Sequence, residues 1–374
     1  MRDISNWIQT GLFLAFIGVF FVINLFTPDR GFSENENRAL QQAPPVSLQR
    51  IANKSFMDDF EKYMSDQFAA RDLWMSSKAR LELLSGKREM NNVYLCSDGR
   101  LLERFELPTD ETFTRHAGYI TEFAERVDLP VYFALIPSAL EFGGAFLPDG
   151  APYDGQKQLI DAFYNRDSKL QNIDIFAALA EHSDEYIYYR TDHHWTSLGA
   201  YYAYSAISDA MSLSCPPLDS YVRRKVSAEF YGSLYSSSGM NWVPADEIEL
   251  FVEPDSSVQV FKYGSAGIEP GPLYRFEALE KKDKYSLFMG GIAGLSRVET
   301  GTADSPTLLI IRDSFADSLV PFLLEDFAEI HLVDLRYYTQ SLSAYIEDVK
   351  PDVILICYSV VNFSSDTHLF QLLG

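Results

Sequence analysis

Cysteine is scarce in this chain: Cys96, Cys215 and Cys357 are all that its 374 residues contain. Three thiols cannot build a full disulfide framework, and Cys357, inside an apolar run, reads as a small buried hydrophobe. Positive charge is in deficit as well. Lys and Arg number 31 against 53 Asp and Glu, a net charge of -22. Polyphosphate binding needs a cationic surface that releases counterions, so this balance argues against a nucleic-acid partner. It argues equally against docking on anionic lipid through a basic patch. The chain has no internal repeat and no long low-complexity segment. Histidine numbers only six, which gives weight to the one place where two stand side by side.

What is present is apolar: 47% of the residues are hydrophobic and 14% aromatic, enough for a globular chain with a large core in one big domain or two smaller ones. The first long run is N-terminal. Ile8 to Phe26 carries no charged residue and is long enough to cross most of a bilayer as a tilted helix. It passes into Thr27-Pro28-Asp29-Arg30 with no small-x-small cleavage site, so an uncleaved anchor is expected over a cleaved signal peptide. Arg2 and Arg30 nearly cancel, so the positive-inside rule does not orient it. An anchor this close to the start, followed by a large acidic domain, is expected to leave that domain outside the cytoplasm. The expected organisation is therefore an anchor over 1–30 and an α/β domain over 31–374.

Beyond a polar linker from Thr27 to Val46, apolar spacing predicts helix from about Phe56 to Leu84, then a hairpin around Ser97-Asp98-Gly99-Arg100. Strands and helices then alternate. Strands are expected at Val131–Ile136, Tyr186–Tyr189, Tyr285–Met289, Thr307–Ile311, Glu329–Val333 and Val353–Cys357. Helices are expected at Thr112–Val127, Gln156–Arg166, Ile175–His182, Ser197–Met211, Phe315–Phe327 and Ser341–Val349, with Pro321 kinking or delaying its helix. Apolar runs separated by helices indicate a buried parallel sheet of α/β type. Residues about 213–284, rich in Ser, Gly, Pro and Tyr, read as an inserted β-rich segment.

Two stretches carry chemistry. Arg190-Thr191-Asp192-His193-His194-Trp195-Thr196 places a carboxylate two residues from an imidazole in a turn before a helix. Asp192 could hold one nitrogen of His194 and leave the other free as a base, with His193 as its local competitor and Trp195 as a wall. The run Leu308-Leu309-Ile310-Ile311-Arg312-Asp313-Ser314-Phe315 reads as a buried strand ending on an Asp-Ser turn. A serine there sits at the carboxyl edge of the sheet, beside the unpaired N–H groups of a following helix. Ser314 or Asp313 acting only as a helix cap is the plainer alternative. Gly290, Gly291, Phe315 and Asn362 are candidate oxyanion or substrate residues, and Arg190, His193, Trp195, Arg312 and Tyr358 candidate cleft residues. Asp-His-His also suits zinc or manganese, but His116, His182, His331 and His368 are scattered without ligand spacing, so no metal and no cofactor are expected.

Asp192-His193-His194-Trp195 together with Arg312-Asp313-Ser314-Phe315 resembles the DHHW protein family of bacterial membrane-anchored proteins. Phe32-Ser33-Glu34-Asn35-Glu36-Asn37-Arg38, Asp334-Leu335-Arg336-Tyr337-Tyr338 and Ala316-Asp317-Ser318 through Pro321-Phe322-Leu323 support the likeness, which covers nearly the whole chain. That family is similar to the SGNH-hydrolase-like domains of the alginate O-acetylation proteins. The resemblance implies a three-layer, flavodoxin-like parallel sheet. It also implies Asp192 as orienter, His194 as base and Ser314 as nucleophile of an O-acyltransferase or esterase acting on a cell-surface glycan. By the same analogy a polytopic membrane O-acyltransferase would supply the acyl group. Arg312 stands where ordinary SGNH enzymes have a glycine, which would crowd the turn, and Ile292 stands where a side-chain oxyanion donor would help. A non-catalytic glycan-binding or scaffold protein on the same fold, and a metal phosphoesterase, are the competing readings.

Overall fold

The computed structural model describes residues 2–33, 38–166, 168–264 and 267–374. Of the motif stretches, Glu34-Asn35-Glu36-Asn37 lies outside the described residues. The chain divides into two compact units, Met1–Met90 with Ser236–Trp242, and Asn91–Tyr235 with Val243–Gly374.

The first unit is helical. Its long helices are α1 (Arg2–Phe26), α2 (Ser55–Asp66) and α3 (Arg71–Leu84), with a short one at Leu48–Ala52. Within α1, Asn6–Phe26 is long and apolar enough to cross a membrane. The single helix expected over 56–84 is two helices, because Ala70 takes a left-handed conformation (φ 57°) that a right-handed helix cannot continue through.

The second unit is built on an eight-stranded sheet. Its strands are β1 (Val131–Ile136), β2 (Gln171–Ile173), β3 (Gln259–Gly264), β4 (Gly267–Gly271), β5 (Leu295–Glu299), β6 (Thr307–Arg312), β7 (Glu329–Val333) and β8 (Val353–Ser359), in the order β4-β3-β5-β7-β6-β8-β1-β2. From β7 through β2 all pairs are parallel, whereas β5, β3 and β4 add on antiparallel. Parallel strands need coverage on both faces, and their near-continuous apolar sequences provide it. Successive residues of one strand enter different cores. Leu308 and Ile310 of β6 join one with Leu179 and Ala203, which belong to the helices Ile175–Glu181 and Ser197–Met211. Leu309 and Ile311 join another with Ile120, Ile160 and Leu342, which belong to the helices Asp110–Arg126, Lys157–Tyr164 and Leu342–Val349.

Several expectations need correction. Tyr186–Tyr189 is no strand. Its backbone folds back on the histidine run through Tyr189 N–H to His194 O (3.2 Å) and Thr196 N–H to Ile187 O (2.9 Å), and packing around that loop buries its aromatic rings. Tyr285–Met289 is likewise not a sheet strand. It is a short 3-10 turn over Lys284–Leu287 followed by a bridge from Phe288 to Tyr274. The helix expected at Phe315–Phe327 is two 3-10 turns, Ser314–Ser318 and Val320–Leu323. Pro321 brings no N–H to an α-helical ladder there. The segment around 213–284 is only partly an insertion. It holds an irregular hairpin of Arg224–Phe230 with Asp246–Leu250, but β3 and β4 extend the central sheet. Strand β5 went unread: its two apolar residues, Leu295 and Val298, stand three apart and enter different cores, so no period-2 alternation marks it.

Candidate active site

Ser314 follows β6, which lies between β7 and β8 in the parallel part of the sheet, so its hydroxyl stands at the carboxyl edge where open α/β sheets bind ligands. Asp313 fixes the turn. One carboxylate oxygen accepts the Phe315 N–H (3.1 Å), and the other accepts the Ser359 N–H and the Asn362 amide (2.8 Å each), tying the turn to the end of β8. Asp313 is therefore the cap, which leaves Ser314 free for another role. Arg312, expected to crowd the turn, is buried beneath it, where it reaches Asp313 O at 3.4 Å and pairs with the buried Asp317 at 3.0 Å. Burial pushes the Asp317 carboxyl up to about 7 even though the Arg312 charge opposes the shift.

The histidine run meets this turn. Asp192 accepts the His194 backbone N–H (3.0 Å), lies 2.6 Å from His194 Nδ1, and takes the Ser233 N–H (2.7 Å) on its other oxygen. His194 Nε2 lies 2.7 Å from Ser314 Oγ. Asp192 and His194 are buried, and Ser314 is the partly open member. Burial raises the Asp192 carboxyl, but the charges of His194 and His193 and the hydrogen bonds from His194 and Ser233 outweigh it, leaving it well below the usual carboxylate range. Burial lowers His194, His193 lowers it further, and Asp192 pulls it part of the way back. A neutral imidazole oriented by an ionised carboxylate and touching a serine hydroxyl can take that proton.

Side chains that sequence reasoning missed complete the site. Tyr285 stacks on His194 (3.7 Å between centroids, 8° between planes), and its hydroxyl donates to Ser314 O at 3.1 Å. Gly232 faces Asp192 so closely that a Cβ would sit 2.2 Å from the Asp192 Cβ, which makes glycine a requirement. Asp246 accepts the backbone N–H groups of Arg190 (2.9 Å) and Thr191 (2.8 Å) and the hydroxyls of Thr191 and Tyr186, holding the start of the run. Trp195, expected as a wall, is fully buried and donates from Nε1 to Phe315 O (3.1 Å) and Ser318 Oγ (2.9 Å). It pins the histidine run to the serine turn. Gly232, Ser233, Asp246 and Tyr285 all come from the stretch without clear periodicity or its border. A Gly-Ser pair was the one local signal there.

Other candidates sit differently. His193 Nδ1 lies 2.6 Å from Ser233 Oγ, and its ring centroid is 3.9 Å from that of His194. Phe315 packs its ring against His194, but its N–H is committed to Asp313 and does not face an oxyanion. Asn362 gives its amide to Asp313, with Arg336 on its oxygen at 3.4 Å, so it positions the turn. Gly290 and Gly291 have positive φ (79° and 78°). Gly290 O accepts from Lys262 Nζ (2.6 Å), and the space beside Gly291 belongs to Ser286, so their described contacts run away from Ser314. Arg190 is exposed and lies over the Tyr186 ring, and Tyr358 is buried in the core. Ser314 N–H is the first of its turn, a position that has no acceptor within the turn. Asp192, His193 and His194 offer ligand atoms within 4.8 Å of one another, but both His194 nitrogens already face Asp192 and Ser314.

A family model described as DHHW protein matches residues 130–333, a span that contains both Asp192-His193-His194-Trp195 and Ser314. The structure of a DHHW family protein from Eubacterium siraeum is similar at a TM-score of 0.65 and 24% identity, over 76% of this chain and 95% of that one. The structure of Bacillus cereus PatB1 with a sulfonyl adduct is similar at 0.62 and 20%, over 75% of this chain and 97% of that one. The O-acetyltransferase domain of Pseudomonas putida AlgJ aligns at 0.47 and 15%, over 75% and 98%. No curated protein matches. At these identities the likenesses to the Eubacterium siraeum protein and to PatB1 speak to the fold. The family match covers more than half of the sequence with both chemical motifs inside it, and the chain belongs to the DHHW protein family.

Proposed function

We propose that this protein is a membrane-anchored O-acyltransferase or esterase of the three-layer SGNH-hydrolase type. Its catalytic domain stands outside the cytoplasm and acts on hydroxyl groups of a cell-surface glycan. The observation that carries the reading is the unbroken contact path from Asp192 through His194 to Ser314 Oγ, with steps of 2.6 and 2.7 Å. Ser314 Oγ attacks the acyl carbonyl carbon as its proton passes to His194 Nε2, and the Ser314 N–H faces the oxyanion. The bond to the leaving oxygen breaks as His194 returns the proton to it. A glycan hydroxyl, or water in the esterase case, then repeats the sequence in reverse and frees Ser314. No cofactor enters these steps. PatB1, of the same fold, has been seen with a sulfonyl adduct, the kind of group that an activated hydroxyl takes from a sulfonyl electrophile. The apolar α1 supports residues 1–30 as an anchor for a domain over 31–374, where a polytopic membrane acyltransferase could deliver the acyl group.

Hydrolysis of an aryl acetate by the purified full chain tests the reading. Ser314→Ala and His194→Ala are each expected to lose at least about 10³ of the rate. Full activity in Ser314→Ala would remove the assignment.

A further inference from the structure

Within the N-terminal unit, α1 does not stand alone. Phe20 stacks on Phe68 (6.1 Å, 8°) and meets Trp74 edge-on (5.3 Å), and Phe16 also reaches Trp74 (6.3 Å). The corner between α2 and α3 is thus fastened to the middle of the apolar helix. A polar contact supports it: the Ala69 N–H, left unpaired where α2 ends and α3 has not begun, donates to Asn24 Oδ1 at 2.8 Å. A backbone donor needs such a partner where no water reaches it.

Depth follows from the helix geometry. At about 1.5 Å rise per residue, Phe20 lies about 9 Å, and Asn24 about 3 Å, below the end of α1 at Phe26. Just past that end come polar ties. Tyr63 donates its hydroxyl to Asp29, and Arg30 pairs with Asp72 at 3.3 Å. The corner therefore carries its rings on the apolar side of a polar collar, at the roughly 5–10 Å that interfacial helices reach. The rest of its outward face is mostly apolar, although exposed Glu61 sits between Met57 and Met64 in α2 and exposed Arg80 two turns beyond Leu73 in α3. Met57, Phe60, Met64 and Phe68 recur at helical spacing and are exposed. In α3, Leu73 is 66% exposed while Ser76 and Ala79 face inward and are buried.

We propose that the exposed face of α2 and α3 lies in the outer boundary of the same bilayer that α1 crosses, with Met64, Phe68, Leu73 and Trp74 among acyl chains. This rests on α1 being a membrane span and is independent of the chemistry at Ser314. The occupant is lipid because the face is continuous with α1 and its depth is set by direct ring contact with it. The acidic balance of the chain leaves apolar insertion, not headgroup charge, as the attraction.

The test places a nitroxide label at Leu14→Cys in α1, at Met64→Cys and Leu73→Cys on the face, and at Lys62→Cys on the opposite side of α2. The protein is the full chain with Cys96, Cys215 and Cys357 replaced by Ala, reconstituted in dioleoylphosphatidylcholine vesicles. Collision rates are measured with oxygen, which concentrates in lipid, and with a water-soluble nickel complex. Oxygen is expected to dominate at Leu14, Met64 and Leu73, and nickel at Lys62. Oxygen at Leu14 with nickel at Met64 and Leu73 would overturn the proposal while leaving the span. Nickel at Leu14 would overturn both. Labels at Met64 and Leu73 shielded from both reagents would show a protein partner there and would also overturn it. Circular dichroism of each labelled chain confirms that it has folded.

Discussion

His194 is held between opposing influences, and the balance sets a pH dependence. Burial and His193 lower its pKa from the ordinary 6.5, while Asp192 raises it, and the outcome is a lowered value. On the proposed function His194 works as a neutral imidazole base, so kcat/KM for an aryl acetate should rise with pH through an inflection below 6.5 and then level off. His193→Gln removes one lowering charge and keeps a hydrogen-bonding group for Ser233, so its inflection should move to higher pH. An unmoved inflection would detach His193 from the site. Asp192→Asn keeps the shape and loses the charge, and its kcat should fall by about 10³–10⁴. Gly232→Ala should reproduce much of that loss with Asp192 intact, because the new methyl occupies the space of the carboxylate. That Asp192, His194 and Ser314 meet was legible because their types and local spacing suggest one shared site. Gly232, Ser233 and Tyr285 were not, because a glycine, a backbone N–H and a ring face have no sequence signature until the chain folds.

At the scale of elements, two connections hold the histidine loop and the serine turn in one place. Trp195 bridges them with two hydrogen bonds from one indole N–H, and Arg312 with Asp317 locks the turn from beneath. Trp195→Phe preserves most of the packing but takes the indole donor from the Phe315 carbonyl, left with a long 3.4 Å contact from Ser318 Oγ, and from the Ser318 hydroxyl, left with Tyr285 at 3.0 Å. A loss of about 1–3 kcal/mol is expected, read as a lower thermal midpoint. Arg312→Ala leaves Asp317 buried without its cation and should cost about 3–5 kcal/mol, whereas Arg312→Met with Asp317→Leu should recover most of that. Failure of the double variant to recover would give Arg312 a role beyond the pair. These connections also explain where sequence reading of the elements failed. Tyr186–Tyr189 and Tyr285–Met289 carry strand-like aromatic and apolar runs, but the site and its surrounding core bury them, not a sheet. The segment after Ser314 is apolar enough for a helix, yet it folds as 3-10 turns around Pro321 and the Arg312–Asp317 pair.

For the whole molecule, the parallel strands except the short, half-polar edge strand β2 were readable from apolar runs of strand length, the helices beside them from helical spacing, and the N-terminal helix from its lack of charge. The antiparallel extension of the sheet was not, because β3, β4 and β5 are short and half-polar, and their order depends on partners distant in the chain. The family match fixes the kinship of the chain, and the site geometry supplies the reason to expect turnover. The most direct test is peptide mapping of the full-length protein after treatment with a fluorophosphonate. The expected result is one stoichiometric adduct on Ser314, abolished in His194→Ala. No adduct on folded protein, or an adduct on another residue with Ser314 unmodified, would contradict the assignment of Ser314 as the nucleophile.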